Sequence, residues 1–131
     1  MKTIDIRTSH EQEFINITSE IRKAVKESGI INGEVIIYVP HTTAAVTINE
    51  SADPDVVRDI IATLNRLVPV HGDYHHSEGN SHAHVKSSIL GCSSYVIIKD
   101  GELVLGTWQG IFFCEFDGPR SRRVHLNITG K

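Results

Sequence analysis

The chain has 131 residues, 40% of them hydrophobic, with 13 Lys plus Arg against 16 Asp plus Glu and a formal net charge of −3. That length suits one domain, which buries roughly two-thirds of its unfolded surface without help from a disulfide or a metal. The near-neutral balance argues against a nucleic-acid partner, which needs a basic face, and no run of about 18 apolar residues is present to span a membrane.

Thr3-Ile4-Asp5-Ile6-Arg7 alternates polar and apolar residues, as a half-buried strand does. Phe14 to Ile17 reads as a second short strand. Thr18 is then placed to cap a helix with Glu20 in its first turn, Ile21, Ala24 and Val25 on one face, and Gly29 just past its end. Glu34 to Val39 reads as a strongly buried strand that Pro40 ends, with His41-Thr42-Thr43 next in line. Ala45 to Asn49 returns as a strand. Asp53 caps a second helix with Pro54 at its first position and Val57, Ile60, Ile61 and Leu64 on its inner face; Pro69 closes it.

Residues 70–80 read as a polar loop, and Ser81 to Leu90 as a short helix that Gly91 ends. Ser94 to Ile98 and Glu102 to Leu105 flank Lys99-Asp100-Gly101, a strong hairpin signal. Ile111 to Phe116 and Val124 to Ile128 add two strands. About eight strands and three helices without a βαβα rhythm predict an antiparallel α+β domain, with no internal repeat or linker to divide it.

Cys92 and Cys114 form no Cys-x-x-Cys pair and read as buried small hydrophobes in a reducing compartment. With no long apolar stretch in Met1-Lys2-Thr3-Ile4-Asp5, the expectation is a cytoplasmic protein.

Five of the eight histidines, His71, His75, His76, His82 and His84, lie between positions 71 and 84. Imidazole is the commonest ligand for borderline metals, while lysine, hydroxyls and backbone N–H groups receive phosphate. The segment from Gly79 to Ser88 offers both kinds of group. His82 and His84 point roughly opposite ways on a helix, so only one can face a given site, and spacing does not choose. His71, His75 and His76, beside Asp73 and Glu78, read as a solvated loop. His41 stands at a strand end, where scaffolds present functional side chains, although a turn histidine bonding a nearby carbonyl fits too. Glu50 reads as a candidate general base, a partner to an imidazole, or equally a helix-entry carboxylate. Glycines at both ends of Gly106-Thr107-Trp108-Gln109-Gly110 suggest a sharp bend or close backbone approach. The segment carries the only tryptophan beside an amide, which suits a planar heterocycle or a place in the core. Arg120, Arg122 and Arg123 form a basic cluster, and Glu115 and Asp117 with Arg120 and Arg122 read as an ion-paired turn or as a rim for an anion.

Four segments occur in order: His41-Thr42-Thr43-Ala44, Thr47-Ile48-Asn49-Glu50, Ala83-His84-Val85-Lys86-Ser87-Ser88-Ile89-Leu90-Gly91 and Leu105-Gly106-Thr107-Trp108-Gln109-Gly110-Ile111. Over nearly the whole chain this pattern resembles the YjbQ-like family, also called the secondary thiamine-phosphate synthase family. The resemblance implies a mostly antiparallel β-sandwich of two sheets with two main helices and a short third, assembled as a homotrimer. It implies a small phosphorylated substrate and a weak synthase activity. That reaction joins a pyrimidine-methyl diphosphate to a thiazole phosphate and releases pyrophosphate.

Carried over by motif, Glu50, Lys86 and Gln109 are the catalytic candidates. Thr42, Asn49, Ser87, Trp108 and Arg122 are the substrate-binding candidates. His41 and His84, with His82 as a third imidazole, would hold a divalent metal, zinc or magnesium. In this reading the metal, Lys86 and Arg122 stabilise charge on departing pyrophosphate, Trp108 stacks on the pyrimidine, and Glu50 orients it or a metal-bound water. The alternatives are a metal-dependent hydrolase of a small phosphorylated metabolite and a non-enzymatic metal- or metabolite-binding trimer.

Overall fold

The computed structural model describes all 131 residues. In chain order the elements are β1 (Lys2–Arg7), β2 (Glu13–Asn16), α1 (Thr18–Ser28), β3 (Gly33–Tyr38), β4 (Ala44–Glu50), α2 (Pro54–Leu67), α3 (Ser81–Leu90), β5 (Ser93–Lys99), β6 (Glu102–Leu103), β7 (Gln109–Glu115) and β8 (Ser121–Gly130). A five-stranded sheet runs β1-β8-β3-β5-β6, a three-stranded sheet runs β2-β7-β4, and every pairing is antiparallel. The antiparallel α+β domain expected from the order of elements, and the two-sheet sandwich that the resemblance implies, are the fold. No helix is long and apolar enough to cross a membrane.

Period-two alternation builds three layers. Val35 and Ile37 of β3, Val96 and Ile98 of β5, and Val124 and Leu126 of β8 face Ala44 and Val46 of β4 and Ile111 and Phe113 of β7 in one core, which α1 joins through Ile21, Ala24 and Val25. The opposite face of the small sheet, Ala45, Phe112 and Cys114, meets Leu64 of α2 and Ala83 of α3 in a second core. Because Ala45 and Ala83 are small, α3 lies close on β4, both residues being fully buried.

The local signals largely hold. Asp53 caps α2 by accepting from the Asp55 N–H, behind Pro54. Asp100 and Gly101 both take positive φ, 53° and 78°, as the tight β5–β6 hairpin requires. Gly110 allows close approach: a Cβ there would lie 2.5 Å from the Ser51 Cβ.

Four expectations are corrected. Thr18 does not cap α1 with its side chain. It is buried, donates to Asn16 Oδ1 and accepts from the Ile111 N–H, tying α1 to β7. Cys92 is exposed and only Cys114 is buried. On α2 only Leu64 is fully buried; Val57 and Ile60 are partly covered and Ile61 lines an open groove, because the helix sits at the rim of the second core. The strand foreseen from Glu102 to Leu105 stops at Leu103.

Candidate functional site

Thr43 at the foot of β4, Glu115 at the end of β7 and Arg122 near the start of β8 meet at one mouth of the sandwich. Glu115 is 0% and Arg122 4% exposed. Arg122 forms a two-pronged ion pair with Glu115, Nε to Oε1 at 2.8 Å and Nη2 to Oε2, and donates Nη2 to Thr43 Oγ1 at 2.9 Å. Thr8 Oγ1 donates to Glu115 Oε1 at 2.8 Å. A charge in so dry a place needs a partner and further hydrogen bonds, and here both are supplied across the two sheets. Arg122, expected to bind substrate, therefore has most of its charge compensated internally.

His41 sits just above this pair. Its Nε2 accepts the Arg123 backbone N–H at 2.9 Å. Only a neutral ring can accept there, so the proton resides on Nδ1. Burial, then the nearby Arg122 guanidinium, hold the His41 pKa below its ordinary value, which agrees with the neutral form. His41 shares one cleft of about 350 Å³ with Thr42, His84, Ser87, Ser88 and Cys92. Ser87 is 8% exposed, and its buried Oγ has no hydrogen-bond partner. A buried hydroxyl is rarely left so.

α3 resolves the question that spacing left open. His84 faces the cleft. His82, one face away, is buried with Lys86 four residues on. Lys86 Nζ donates to His82 Nδ1 at 2.8 Å and to Asn65 Oδ1 at 2.5 Å. His82 Nε2 is 3.9 Å from Glu11 Oε1. Burial, then Lys86, lower the His82 pKa, and burial lowers that of Lys86. Lys86 is 0% exposed and does not line the cleft. It ties α3 to α2, and so positions His84 and Ser87 rather than touching what they touch.

The expected three-imidazole metal set is thus divided: His41 and His84 share a cleft that His82 does not line. Nowhere in the chain do three His, Cys, Asp or Glu side chains converge as ligands. The His41 Nε2 lone pair is already engaged. One chain's residues do not by themselves fit a divalent ion.

The remaining candidates lie at the other end of β4. Glu50 pairs with Gln109 and Asn49 with Gly110 in register, about 20 Å along the strand from Ala44. Trp108 is 62% exposed, which excludes the core reading. Its carbonyl accepts the Ser51 N–H, and Gln109 Oε1 accepts the Gly106 N–H, so this loop is a stapled turn. Within one chain, Asn49, Glu50, Trp108 and Gln109 are not brought to His41.

Sequence reasoning missed neighbours of His41 and His84. His76, assigned to the solvated loop, lies edge-on to His84 with ring centroids 5.4 Å apart. Arg7, Arg123 and His125 line a second cleft against His41. The polar face of β1 marked Arg7, but only the β1–β8 pairing reveals its company.

A family model for YjbQ-like UPF0047 proteins matches residues 2–131. The chain belongs to the YjbQ-like UPF0047 family. It is 54% identical to a UPF0047 protein of Methanocaldococcus jannaschii over 95% of this chain and 91% of that one. It is 49% identical to YugU of Bacillus subtilis over 99% of both chains. A crystal structure of a YjbQ/UPF0047 family protein from Clostridium acetobutylicum superposes with TM-score 0.97 at 53% identity, covering 98% of this chain and 100% of that one. A YjbQ-like protein from Sulfolobus solfataricus gives TM-score 0.96 at 34% identity, covering 99% and 96%.

Proposed function

We propose that this chain is a small-molecule enzyme that takes a phosphorylated substrate in the cleft between His41 and α3, with thiamine-phosphate synthase-like transfer as its reaction. The observation that carries the proposal is Ser87, which lines one cleft with His41 and His84 and whose buried hydroxyl has no hydrogen-bond partner. In that reaction the thiazole nitrogen attacks the pyrimidine-methyl carbon. The carbon–oxygen bond to diphosphate breaks, and its electron pair leaves on pyrophosphate. Charge grows on the departing oxygens, and preorganised donors lower the barrier most where charge develops. Ser87, Thr42 and the Nδ1–H of neutral His41 supply such donors. Zinc or magnesium in this cleft would need ligands from another subunit.

We also propose self-association as a homotrimer. One observation supports it. Ile36, Tyr38, Tyr95 and Ile97 are exposed on one face of the large sheet, Ile36 opposite Tyr95 in register, and exposed apolar patches of this kind mark association surfaces. A neighbouring subunit would also offer a way to bring Glu50, Trp108 and Gln109 to His41. One observation favours a second reading, a non-enzymatic metabolite binder: no carboxylate lines the cleft.

The test is synthase activity of purified protein from a synthase-free host, compared with Ser87→Ala and His84→Ala. Product formation that falls in both variants supports the transferase. Binding of thiamine phosphate without turnover selects the binder. Unchanged activity in both variants overturns the site.

A further inference from the structure

We infer that the second cleft beside His41, on the outer face of β1 and β8, is a docking site for a diphosphate-type anion carried by the same ligand. The inference rests on reading the Ser87 cleft as a ligand site, because His41 lines both clefts.

Strand alternation builds the second cleft. Ile6, Val124 and Leu126 turn into the core, so Asp5, Arg7, Arg123 and His125 turn outward. The register sets Asp5 opposite Arg123 and Arg7 opposite Ser121. The result is a cleft of about 680 Å³ lined by three arginines and two histidines against one carboxylate, in a chain whose net charge is −3. Arg7 is steered by donating Nη1 to Ser121 Oγ at 3.1 Å, and His125 Nδ1 lies 3.0 Å from Thr3 Oγ1. Arg123 has no ion-pair partner, not even Asp5 across the ladder, although the chain forms ion pairs elsewhere. Arg122 Nη1 bonds nothing, its other two nitrogens being held by Glu115 and Thr43.

Forked guanidinium donors match phosphoryl oxygens, and several around one concavity suit a group with more than one phosphate. The single phosphate of a product such as thiamine phosphate leaves part of the cleft unused. A diphosphate whose ester oxygen lies at Ser87 and whose terminal phosphate reaches the arginines uses both clefts.

The probe is inorganic pyrophosphate, titrated calorimetrically into the intact protein at low and at physiological salt. The Arg7→Gln/Arg123→Gln double variant changes only exposed side chains and should keep the native circular dichroism. Its pyrophosphate affinity should fall on the order of tenfold, with a shallower salt dependence. Lys23→Gln/Lys26→Gln removes the same charge from α1 and should change affinity less than about twofold, as exposed distant charges are screened. Unchanged affinity in the arginine variant overturns the inference, as does an equal loss in the lysine variant or no binding to the parent protein. Loss in Ser87→Ala alone overturns it too, while upholding the Ser87 cleft as an anion site. Loss in the arginine variant with Ser87→Ala unaffected supports this cleft even where the transferase reading fails.

Discussion

Ser87→Ala should stabilise the protein while weakening ligand binding. A buried hydroxyl without a partner costs about 1–3 kcal/mol in unmade hydrogen bonding. The Ser87 Oγ is such an atom. Alanine removes the oxygen and keeps the Cβ, so little packing is lost. A net gain of about 0.5–1.5 kcal/mol is expected once that small loss is subtracted. For a domain of this length 1 kcal/mol moves Tm by roughly 4 °C, so Tm should rise by about 2–6 °C. If the hydroxyl is kept for a ligand, affinity for thiamine phosphate should fall by about tenfold, the worth of one hydrogen bond to a charged acceptor. Thermal unfolding by circular dichroism and calorimetric titration of the same samples measure both effects. A lower Tm with unchanged affinity would refute the reasoning, because the hydroxyl would then serve the fold.

Glu115→Gln leaves the buried Arg122 without its counter-charge and should cost about 3–5 kcal/mol in urea unfolding, the usual penalty for orphaning one partner; a loss under 1 kcal/mol would mean that the mouth of the sandwich is wetter than described. His84→Ala should abolish binding of thiamine phosphate with the fold intact, and His75→Ala should leave it unchanged, both read by titration; equal effects would put the site in the loop. Stability should fall on acidification. The His41 and His82 pKa values lie below 6.5, so the unfolded chain takes up protons first as pH drops through that value, favouring unfolding. The Lys86 pKa lies below 10.5, so its contribution rises with pH up to that value by the same linkage. Urea midpoints between about pH 5 and 8 check the histidine part, and a flat profile would contradict it.

The fold was legible where local chemistry decides it. Alternation set the inward faces of β3 and β8, Asp53-Pro54 set the start of α2, and Asp100-Gly101 set the hairpin. Thr18 misled because a hydroxyl before a helical pattern looks the same whether it caps the helix or bonds another strand; only the packing of α1 against β7 distinguishes them. The site was legible as motifs but not as a place. Sequence spacing could not say which of His82 and His84 faces His41, since that depends on the sheet under α3. Nor could it show that Arg122 is compensated by Glu115, or that Arg7 joins Arg123, because both follow from the pairing of strands far apart in the chain. Lys86 lies beside Ser87 in sequence yet is spent on Asn65 and His82.

The most direct test of the account is a crystal structure of the protein soaked with thiamine phosphate and inorganic pyrophosphate. Density is expected against Ser87 and the His41 ring, with pyrophosphate beside Arg7 and Arg123. Density confined to the surroundings of Trp108 and Gln109, with nothing at His41 or Ser87, would contradict it.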